Sequence, residues 1–206
     1  KAAEQVKAMI KDEDVVVLPA VFGLKNENTV GLMREKIGVK TVFVATMPPS
    51  VPGIRSQMTL KAEFEKIGGR FFLGDNVLEA DFNEDGSVRS IATSNFDDIR
   101  VYAADFVLAT GSFFSKGLIA TPEKVYEPVF GADLKYADKR DGWFDRNFWN
   151  RQDYISFGAK VSETLNAFIN GKEISNLYAI GSLLGGANTL YEGCGGGVAI
   201  ISALKA

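Results

Sequence analysis

The chain has 206 residues, a formal net charge of −3 and an ordinary globular balance of 46% hydrophobic and 24% charged residues. It has no histidine, and Cys194 is its only cysteine. These counts exclude a Cys/His zinc site, a cysteine-ligated iron–sulfur cluster, a disulfide framework and a Ser-His-Asp triad within this chain. Carboxylate sites for Mg²⁺ or Ca²⁺ survive these counts, but the sequence has no D-x-D-x-D-G loop, and we predict no metal site. The acidic charge balance also predicts no nucleic-acid partner.

The apolar runs are too short to cross a membrane. A run such as Val15–Phe22 is far below the roughly 18–20 residues that a membrane span needs. Residues 1–13 lack the apolar core of a signal peptide, and the single thiol is typical of a reducing, cytoplasmic setting. Because the chain begins with Lys1 rather than a methionine, we expect it to be a piece of a longer protein.

Strands and helices are predicted to alternate in the first third of the chain. The β-branched runs Val15–Leu18 and Thr41–Thr46 predict buried strands, and Asn28 begins a helix that Gly38 ends. The spacing of apolar residues predicts an amphipathic helix over Ile54–Ile67. This order indicates a parallel sheet with helical crossovers.

A change of pattern follows, with short strands predicted in place of helices. Glu84-Asp85-Gly86 is a hairpin-turn signal between two of them. The meander leads into a buried strand in Asp105–Ser112 that ends on a glycine turn. The predicted meander strands are Arg70–Leu73, Asn76–Phe82, Ser87–Thr93 and Ile99–Tyr102.

Residues 114–170 form the least regular stretch and hold both tryptophans. A packed cap and a lid or subunit contact are both consistent with this composition. The charges within Arg140–Trp149 predict surface rather than core. Regular structure is predicted to resume with a strand at Asn176–Ile180 and a final helix at Gly197–Ala206.

The strongest local signal is a glycine cluster between that strand and that helix. Seven glycines fall in residues 181–197, and such density indicates that bare backbone is needed there. Either a ligand approaches closely at a helix N-terminus, or the helix and strand pack closely through the glycines. The spacing fits neither a P-loop nor a Rossmann fingerprint. The predicted cofactor-binding residues are Gly111, Gly181, Ser182, Gly185, Gly186, Gly193, Cys194, Gly195, Gly196 and Gly197.

These motifs resemble known flavoproteins. Asp105–Phe113 and Asn176–Gly197 are similar to the Ala-Thr-Gly strand and terminal flavin-facing motif of FAD/FMN oxidoreductases with the glutathione-reductase-like fold. Ile155–Leu165 resembles a segment of the succinate dehydrogenase and fumarate reductase group. Across almost the whole chain, motifs in the same order resemble the flavoprotein (B-type) subunits of anaerobic glycerol-3-phosphate dehydrogenases: Leu18–Leu24, Pro48–Arg55, Ala109–Phe114, and Ala179–Gly186 with Gly193–Val198.

The resemblance implies a flavoprotein subunit, carrying FMN or FAD, in a complex that oxidises sn-glycerol 3-phosphate to dihydroxyacetone phosphate. It would have two partners in this complex. One is the catalytic A-type subunit, and the other is the iron–sulfur C-type subunit, which anchors the complex at the inner face of the cell membrane and passes electrons toward quinone. The chain matches only the C-terminal half of these subunits, and the phosphate cradle belongs to the half that it does not match. We therefore expect this fragment alone to be inactive and to hold no flavin.

No catalytic residue is assigned. The fumarate reductase group has a histidine before the segment Phe157–Ala159, where this chain has Ser156 and Phe157. Without a histidine, the base would have to be a carboxylate, a lysine or an arginine. We therefore expect substrate oxidation on the catalytic partner. A stand-alone flavoprotein dehydrogenase or reductase, and a flavin-less structural partner, are the alternatives.

Arg55 and Ser50 are a further candidate pair for contact with substrate or flavin. Arg55 follows a rigid proline-rich turn and could hold a phosphate or flavin oxygen through two hydrogen bonds. An ordinary surface arginine would give the same pattern.

The predicted fold is α/β, a fragment of the glutathione-reductase-like FAD/NAD(P)-binding fold with a parallel sheet, a β-meander and part of a cap. Residues 1–53 are assigned to the cap or substrate-side domain, and 54–113 to the flavin-domain helix, meander and Ala-Thr-Gly strand. Residues 114–170 are assigned to a cap or interface segment, and 171–206 to the C-terminal flavin-binding strand, glycine loop and helix.

Overall fold

The computed structural model describes residues 1–12, 15–47, 49–96 and 99–206. Pro48, the first residue of one motif that carries the resemblance, lies outside them. The chain divides into two compact units, Lys1–Leu73 and Gly74–Ala206. The predicted segments change at residues 53/54, 113/114 and 170/171, and their assignment to a flavin domain and a cap stays a prediction.

The first unit alternates helices with two parallel strands. Val15 lies opposite Lys40 and Pro19 opposite Val44, so the parallel pairing predicted from the order of elements is confirmed. In chain order the elements are α1 Ala2–Met9, β1 Val15–Pro19, α2 Asn28–Ile37, β2 Lys40–Val44 and α3 Val51–Lys66.

The core of the first unit lies on one face of this sheet. Met33 and Ile37 of α2 are buried, and Leu18 and Phe43 of the two strands pack against them. Successive residues of a strand point to opposite faces, and on the other face Val17 is 61% exposed. The prediction that these strands are buried is therefore right for only one of their faces.

Helix α3 begins three residues earlier than predicted, and the segment that follows it does not form the predicted strand. Ser50 Oγ accepts a hydrogen bond from the Gly53 N–H at 3.2 Å and so caps the helix, which starts at Val51 rather than Ile54. The predicted strand Arg70–Leu73 is wrong. Instead, the ammonium of Lys61 lies 4.7 Å from the centre of the Phe71 ring. The chain folds back over the helix there and does not extend into a sheet.

The second unit contains short strands, four 3₁₀ turns and one α-helix among the described residues. The 3₁₀ turns are Phe113–Ser115, Arg140–Gly142, Asp153–Ser156 and Gly181–Leu183. In chain order the other elements are β3 Val77–Phe82, β4 Val88–Thr93, β5 Val101–Tyr102, β6 Phe106–Leu108, β7 Ile119–Ala120, β8 Val125–Tyr126, β9 Leu134–Lys135, β10 Gly158–Ala159, β11 Asn166–Ile169, β12 Lys172–Ala179 and α4 Gly195–Lys205.

The predicted meander is confirmed in β3, β4 and β5, which form an antiparallel sheet in that order. At the predicted turn, Gly86 has a φ of 88°, which favours glycine, and Asp85 Oδ1 accepts hydrogen bonds from the Ser87 N–H and Oγ. These bonds from Ser87 lower the pKa of Asp85. No residue in 76–96 or 99–102 is helical.

A second sheet has the order β11-β12-β6, in which β12 runs parallel to β6. Two further antiparallel pairs, β7 with β8 and β9 with β10, lie in the stretch predicted to be irregular. The strand predicted at Asn176 begins at Lys172, and the helix predicted at Gly197 begins at Gly195. The combination of a parallel and a meander sheet confirms the α/β fold prediction.

The core of the second unit includes one tryptophan that the sequence places at the surface. Trp143 is 7% exposed, packs edge-on against Phe157, and donates a hydrogen bond from Nε1 to the Ala137 carbonyl at 2.7 Å. The prediction of a surface segment at Arg140–Trp149 is wrong for this residue. It holds for the four charged side chains around Trp143, because they are exposed.

Trp143→Ala should therefore destabilise the protein by about 3–5 kcal/mol, because it opens a cavity in the core. The matched control is Trp149→Ala, at a side chain that is 88% exposed, which should change the free energy of unfolding by less than about 0.5 kcal/mol. Urea unfolding followed by far-UV circular dichroism measures both variants. Equal unfolding midpoints would contradict the assignment of Trp143 to the core.

The two three-stranded sheets of the second unit are joined by the side-chain amide of Asn176 in β12. Its Oδ1 accepts a hydrogen bond from the Val88 N–H at 2.8 Å, and its Nδ2 donates to the Val88 carbonyl at 2.8 Å. The same Nδ2 donates to the Ala104 carbonyl at 3.1 Å. The amide thus pairs with the start of β4 as a further strand would, and it also fixes the segment before β6.

Loss of these three hydrogen bonds in Asn176→Ala should lower the free energy of unfolding by about 2–4 kcal/mol, at about 0.5–1.5 kcal/mol for each bond. Ser175→Ala is the control, because this neighbouring side chain points to solvent. Chemical denaturation of the two variants beside the unmodified chain provides the comparison. If both variants unfold at the same denaturant concentration, Asn176 does not join the sheets.

Candidate functional site

The carboxyl ends of β6 and β12 lie side by side, with Ala179 opposite Leu108. Each strand is followed by a turn with a left-handed glycine, Gly111 at a φ of 76° and Gly181 at a φ of 67°. A Cβ on Gly111 would overlap Ser115 Oγ and lie 3.4 Å from Ser182 Oγ. The structure thus brings Gly111 and Ser182 together at the edge where open α/β sheets bind their ligands.

Gly185 and Gly186 form a tightly packed turn. Their N–H groups donate to the Ala159 carbonyl at 3.2 Å and the Ser156 carbonyl at 2.8 Å. A Cβ on Gly185 would lie 2.8 Å from the Gly158 carbonyl oxygen, too close for any side chain. Packing alone therefore requires Gly185, and a cofactor contact at this pair stays a prediction.

The glycines at the N-terminus of α4 are in a different situation. A Cβ on Gly196 or Gly197 would meet no atom within 4 Å. Their N–H groups precede the first intrahelical bond, from the Val198 N–H to the Cys194 carbonyl, and have no acceptor among the described residues. The packing of the described chain does not require glycine here, whereas a closely approaching ligand would.

The polar contacts of Ser202 and Asn188, both buried, hold α4 and the loop before it. Ser202 Oγ accepts a hydrogen bond from the Gly181 N–H at 2.9 Å and donates to the Val198 carbonyl at 2.6 Å. Asn188 Oδ1 accepts from the Tyr191 N–H at 3.0 Å. The turn after β12 is thereby tied directly to α4. Neither residue was identified from the sequence, although a serine in an otherwise apolar helix is a detectable signal.

A groove of about 370 Å³ runs along α4, from Cys194 and Gly197 at its first turn to Lys205 at its end. Its walls include Leu165, Leu184, Gly197 and Ile201, so it is largely apolar. Leu165 has a φ of 67°, a strained backbone conformation for a leucine. The groove joins an apolar surface to the free N–H groups, a combination that suits an aromatic ring with a polar edge.

Cys194 is the residue that precedes α4. Burial raises the pKa of its thiol, and so does Glu192, whose Oε2 lies 3.6 Å from Sγ. The thiol therefore stays protonated at neutral pH. Because the thiolate is the reactive form of cysteine, this environment disfavours nucleophilic or redox chemistry at Cys194.

Alkylation by iodoacetamide should therefore be slower at Cys194 than at an unperturbed thiol near pH 8. Glu192→Gln removes the negative charge that raises the pKa, so the rate–pH profile should shift to lower pH. Glu163→Gln, at an exposed carboxylate outside the loop, is the control and should leave the profile unchanged. A faster reaction of the unmodified chain than of free cysteine at that pH would contradict the raised pKa.

Arg55 and Ser50, the further candidates, lie in the first unit. Arg55 Nη1 donates to the Gly23 carbonyl at 2.8 Å, and Ser50 Oγ caps α3. A groove of about 660 Å³ adjoins Arg55 and Asn28. Both candidates thus make local structural contacts, and their contact with a cofactor or substrate stays a prediction.

Two further features are absent from the described part of the chain. No group of three or more Cys, Asp or Glu side chains is placed there to hold a metal ion. No helix among the same residues has the length and apolar character needed to span a membrane.

Comparison with known proteins identifies a matching family and several related proteins. The model of the FAD binding domain family matches residues 1–198. The B subunit of anaerobic glycerol-3-phosphate dehydrogenase from Pectobacterium carotovorum subsp. carotovorum (strain PC1) is 38% identical over 98% of this chain and 47% of that protein. Proteins of the same name from Yersinia pseudotuberculosis and Haemophilus influenzae (strain ATCC 51907 / DSM 11121 / KW20 / Rd) are 36% and 39% identical over 98% and 93% of this chain. The chain covers 47% and 45% of these two proteins, and so spans about half the length of the curated relatives that it matches.

Proposed function

The chain belongs to the FAD binding domain family, and from this premise we propose that the first turn of α4, with Gly111 and Gly181, holds a flavin. The observation that carries the proposal is the open backbone at Gly196 and Gly197. Space for a Cβ there, together with N–H groups that lack an acceptor among the described residues, fits a planar ring lying against the helix end.

The backbone of this chain would bind and polarise the cofactor. The N–H groups of Gly195–Gly197 point outward at the positive end of the helix dipole, where they favour a polar ring edge or a phosphate. The apolar groove with Leu184 would receive carbon surface and exclude water. The bound flavin itself supplies the electron transfer.

The share of the binding energy from this chain is small. A helix N-terminus contributes roughly 0.3–2 kcal/mol toward an anion, whereas nanomolar affinity needs about 12 kcal/mol. We propose that residues outside this chain supply most of the difference, so that residues 1–206 alone hold little flavin. Whether the flavin is FMN or FAD depends on contacts beyond this site.

For the longer protein we propose the role of a B-type subunit of anaerobic glycerol-3-phosphate dehydrogenase. It would pass electrons from oxidation of sn-glycerol 3-phosphate, carried out on the A-type partner, through the iron–sulfur C-type partner at the membrane toward quinone. The support is 38% identity over 98% of the chain to a protein of that name.

Gly196→Val in the longer protein should empty the flavin site without unfolding the chain, because the new side chain enters only the space proposed for the ring. The visible absorption of the purified protein measures flavin content. The matched control is Gly31→Val, at a helical glycine where a Cβ also meets no atom within 4 Å. Full flavin occupancy in the Gly196 variant would refute the site.

Substrate turnover tests the proposed role. With an artificial electron acceptor, the longer protein alone should not oxidise sn-glycerol 3-phosphate, and activity should appear when the partner subunits are added. Turnover by the flavin-loaded protein alone would instead make it a stand-alone dehydrogenase.

A further inference from the structure

The turn between β11 and β12 contains the only Asn-Gly sequence in the chain, Asn170-Gly171. Ile169 lies opposite Lys172, so the two residues form a two-residue hairpin loop. Asn170 has a φ of 52° and Gly171 a φ of 76°, and a type I′ turn requires such left-handed backbone at both positions. Both residues are exposed, and the sequence patterns did not point to them.

An Asn-Gly sequence is prone to a reaction within its own backbone, because asparagine is thermolabile and glycine has no side chain to obstruct the attack. The deprotonated backbone nitrogen of the glycine bonds to the asparagine Cγ, the Cγ–Nδ2 bond breaks, and ammonia leaves. Water then opens the resulting cyclic imide at one of its two carbonyls. Opening at the side-chain carbonyl gives aspartate, and opening at the backbone carbonyl gives isoaspartate. Water is the only co-reactant, and nothing is oxidised or reduced.

In the folded chain the attacking nitrogen is held by the carboxylate of Asp133. Its Oδ2 accepts a hydrogen bond from the Gly171 N–H at 2.7 Å, and its Oδ1 accepts one from the Asn170 N–H at 3.1 Å. A nearby negative charge disfavours loss of the Gly171 amide proton, which must leave before the nitrogen can attack. The attack also requires the Gly171 peptide to rotate toward the Asn170 side chain, which would move the N–H away from Oδ2.

The position of this carboxylate is fixed by backbone hydrogen bonds on both sides of Asp133. The Asp133 N–H donates to the Phe168 carbonyl at 2.7 Å, and the Asp133 carbonyl accepts from the Lys160 N–H at 2.8 Å. Asp133 lies 37 residues before Asn170, so the two residues meet only when the tertiary structure has formed. The unfolded chain has the same Asn-Gly sequence without this contact.

We propose that Asn170 is a deamidation site of this protein and that Asp133 suppresses the reaction in the folded chain. Either product would place a second carboxylate beside that of Asp133, where like charges repel. Isoaspartate would also insert the side-chain carbon into the backbone of a two-residue loop, whose length sets the register of β11 against β12. Because β12 carries Asn176 and leads to Gly181, the modification would act on the strand that precedes the proposed flavin site.

The test is incubation of the chain at neutral pH, followed by proteolysis and mass spectrometry of the peptide that contains residue 170. A hydrogen bond to a charged group corresponds to a factor of roughly ten or more in an equilibrium constant. The folded chain should therefore deamidate at least about tenfold more slowly than the same chain in denaturing urea. Asp133→Ala should deamidate about tenfold faster than the unmodified folded chain, and Asp133→Asn should lie between the two. Asp138→Ala, at an exposed carboxylate of the same segment, is the control and should have no effect.

Hydrogen exchange separates loss of this contact from loss of the fold. In Asp133→Ala, exchange should accelerate at the Gly171 amide while the amides of β4 stay protected. If β4 loses protection, the comparison rests on Asp133→Asn, which keeps an acceptor oxygen and removes the charge. An unchanged rate in that variant would then overturn the proposal.

Three other results would also overturn it. The chain in urea could show no deamidation at Asn170, or the folded and denatured chains could react equally fast. Equal acceleration by Asp138→Ala would show an effect of net charge rather than of the contact. Slower deamidation of Asp133→Ala would make the carboxylate a base for the attack instead of a protecting group.

Discussion

The pairing of the Asn176 side chain with the backbone of Val88 is the constraint on which the second unit depends. The meander and the mixed sheet have separate hydrogen-bond ladders, and this amide supplies donors and an acceptor where the two ladders meet. Its bond to the Ala104 carbonyl also fixes the entry to β6. The N–H that it satisfies belongs to Val88, a buried residue. Leaving this N–H without an acceptor would lower the stability of the fold.

The site follows from this arrangement. Once β6 is placed parallel to β12, the two strands end at the same edge, and the chain must turn sharply after each of them. Gly111 and Gly181 make those turns with left-handed backbone. The bond from the Gly181 N–H to Ser202 then positions α4, so that its N-terminus is fixed relative to the sheet edge by a buried hydrogen bond. The position of α4 therefore depends on the parallel pairing of β6 with β12.

The sequence predicted the features that local chemistry determines. The Asp85-Gly86 turn and the glycine that ends α2 carry signals within a few residues, and the order of strands and helices indicated the parallel pairing of β1 with β2. Arg70–Leu73 was predicted wrongly because a short apolar run does not distinguish a strand from a segment that folds back on a helix. Trp143 was predicted wrongly because its charged neighbours point to solvent while its ring fills the core. The joining roles of Asn176 and Ser202 depend on contacts with distant residues, which no local pattern contains.

The glycine cluster shows why density alone does not define a binding site. Glycine is required at Gly185 by the carbonyl of Gly158, and at Gly111 by the turn and by Ser115. The described chain imposes no such requirement on Gly196 or Gly197, where even a helix-favouring alanine would fit. Glycine weakens a helix, and packing among the described residues gives no reason for three in succession at the start of α4. That contrast, drawn residue by residue, separates the glycines that pack the protein from those proposed to face the flavin.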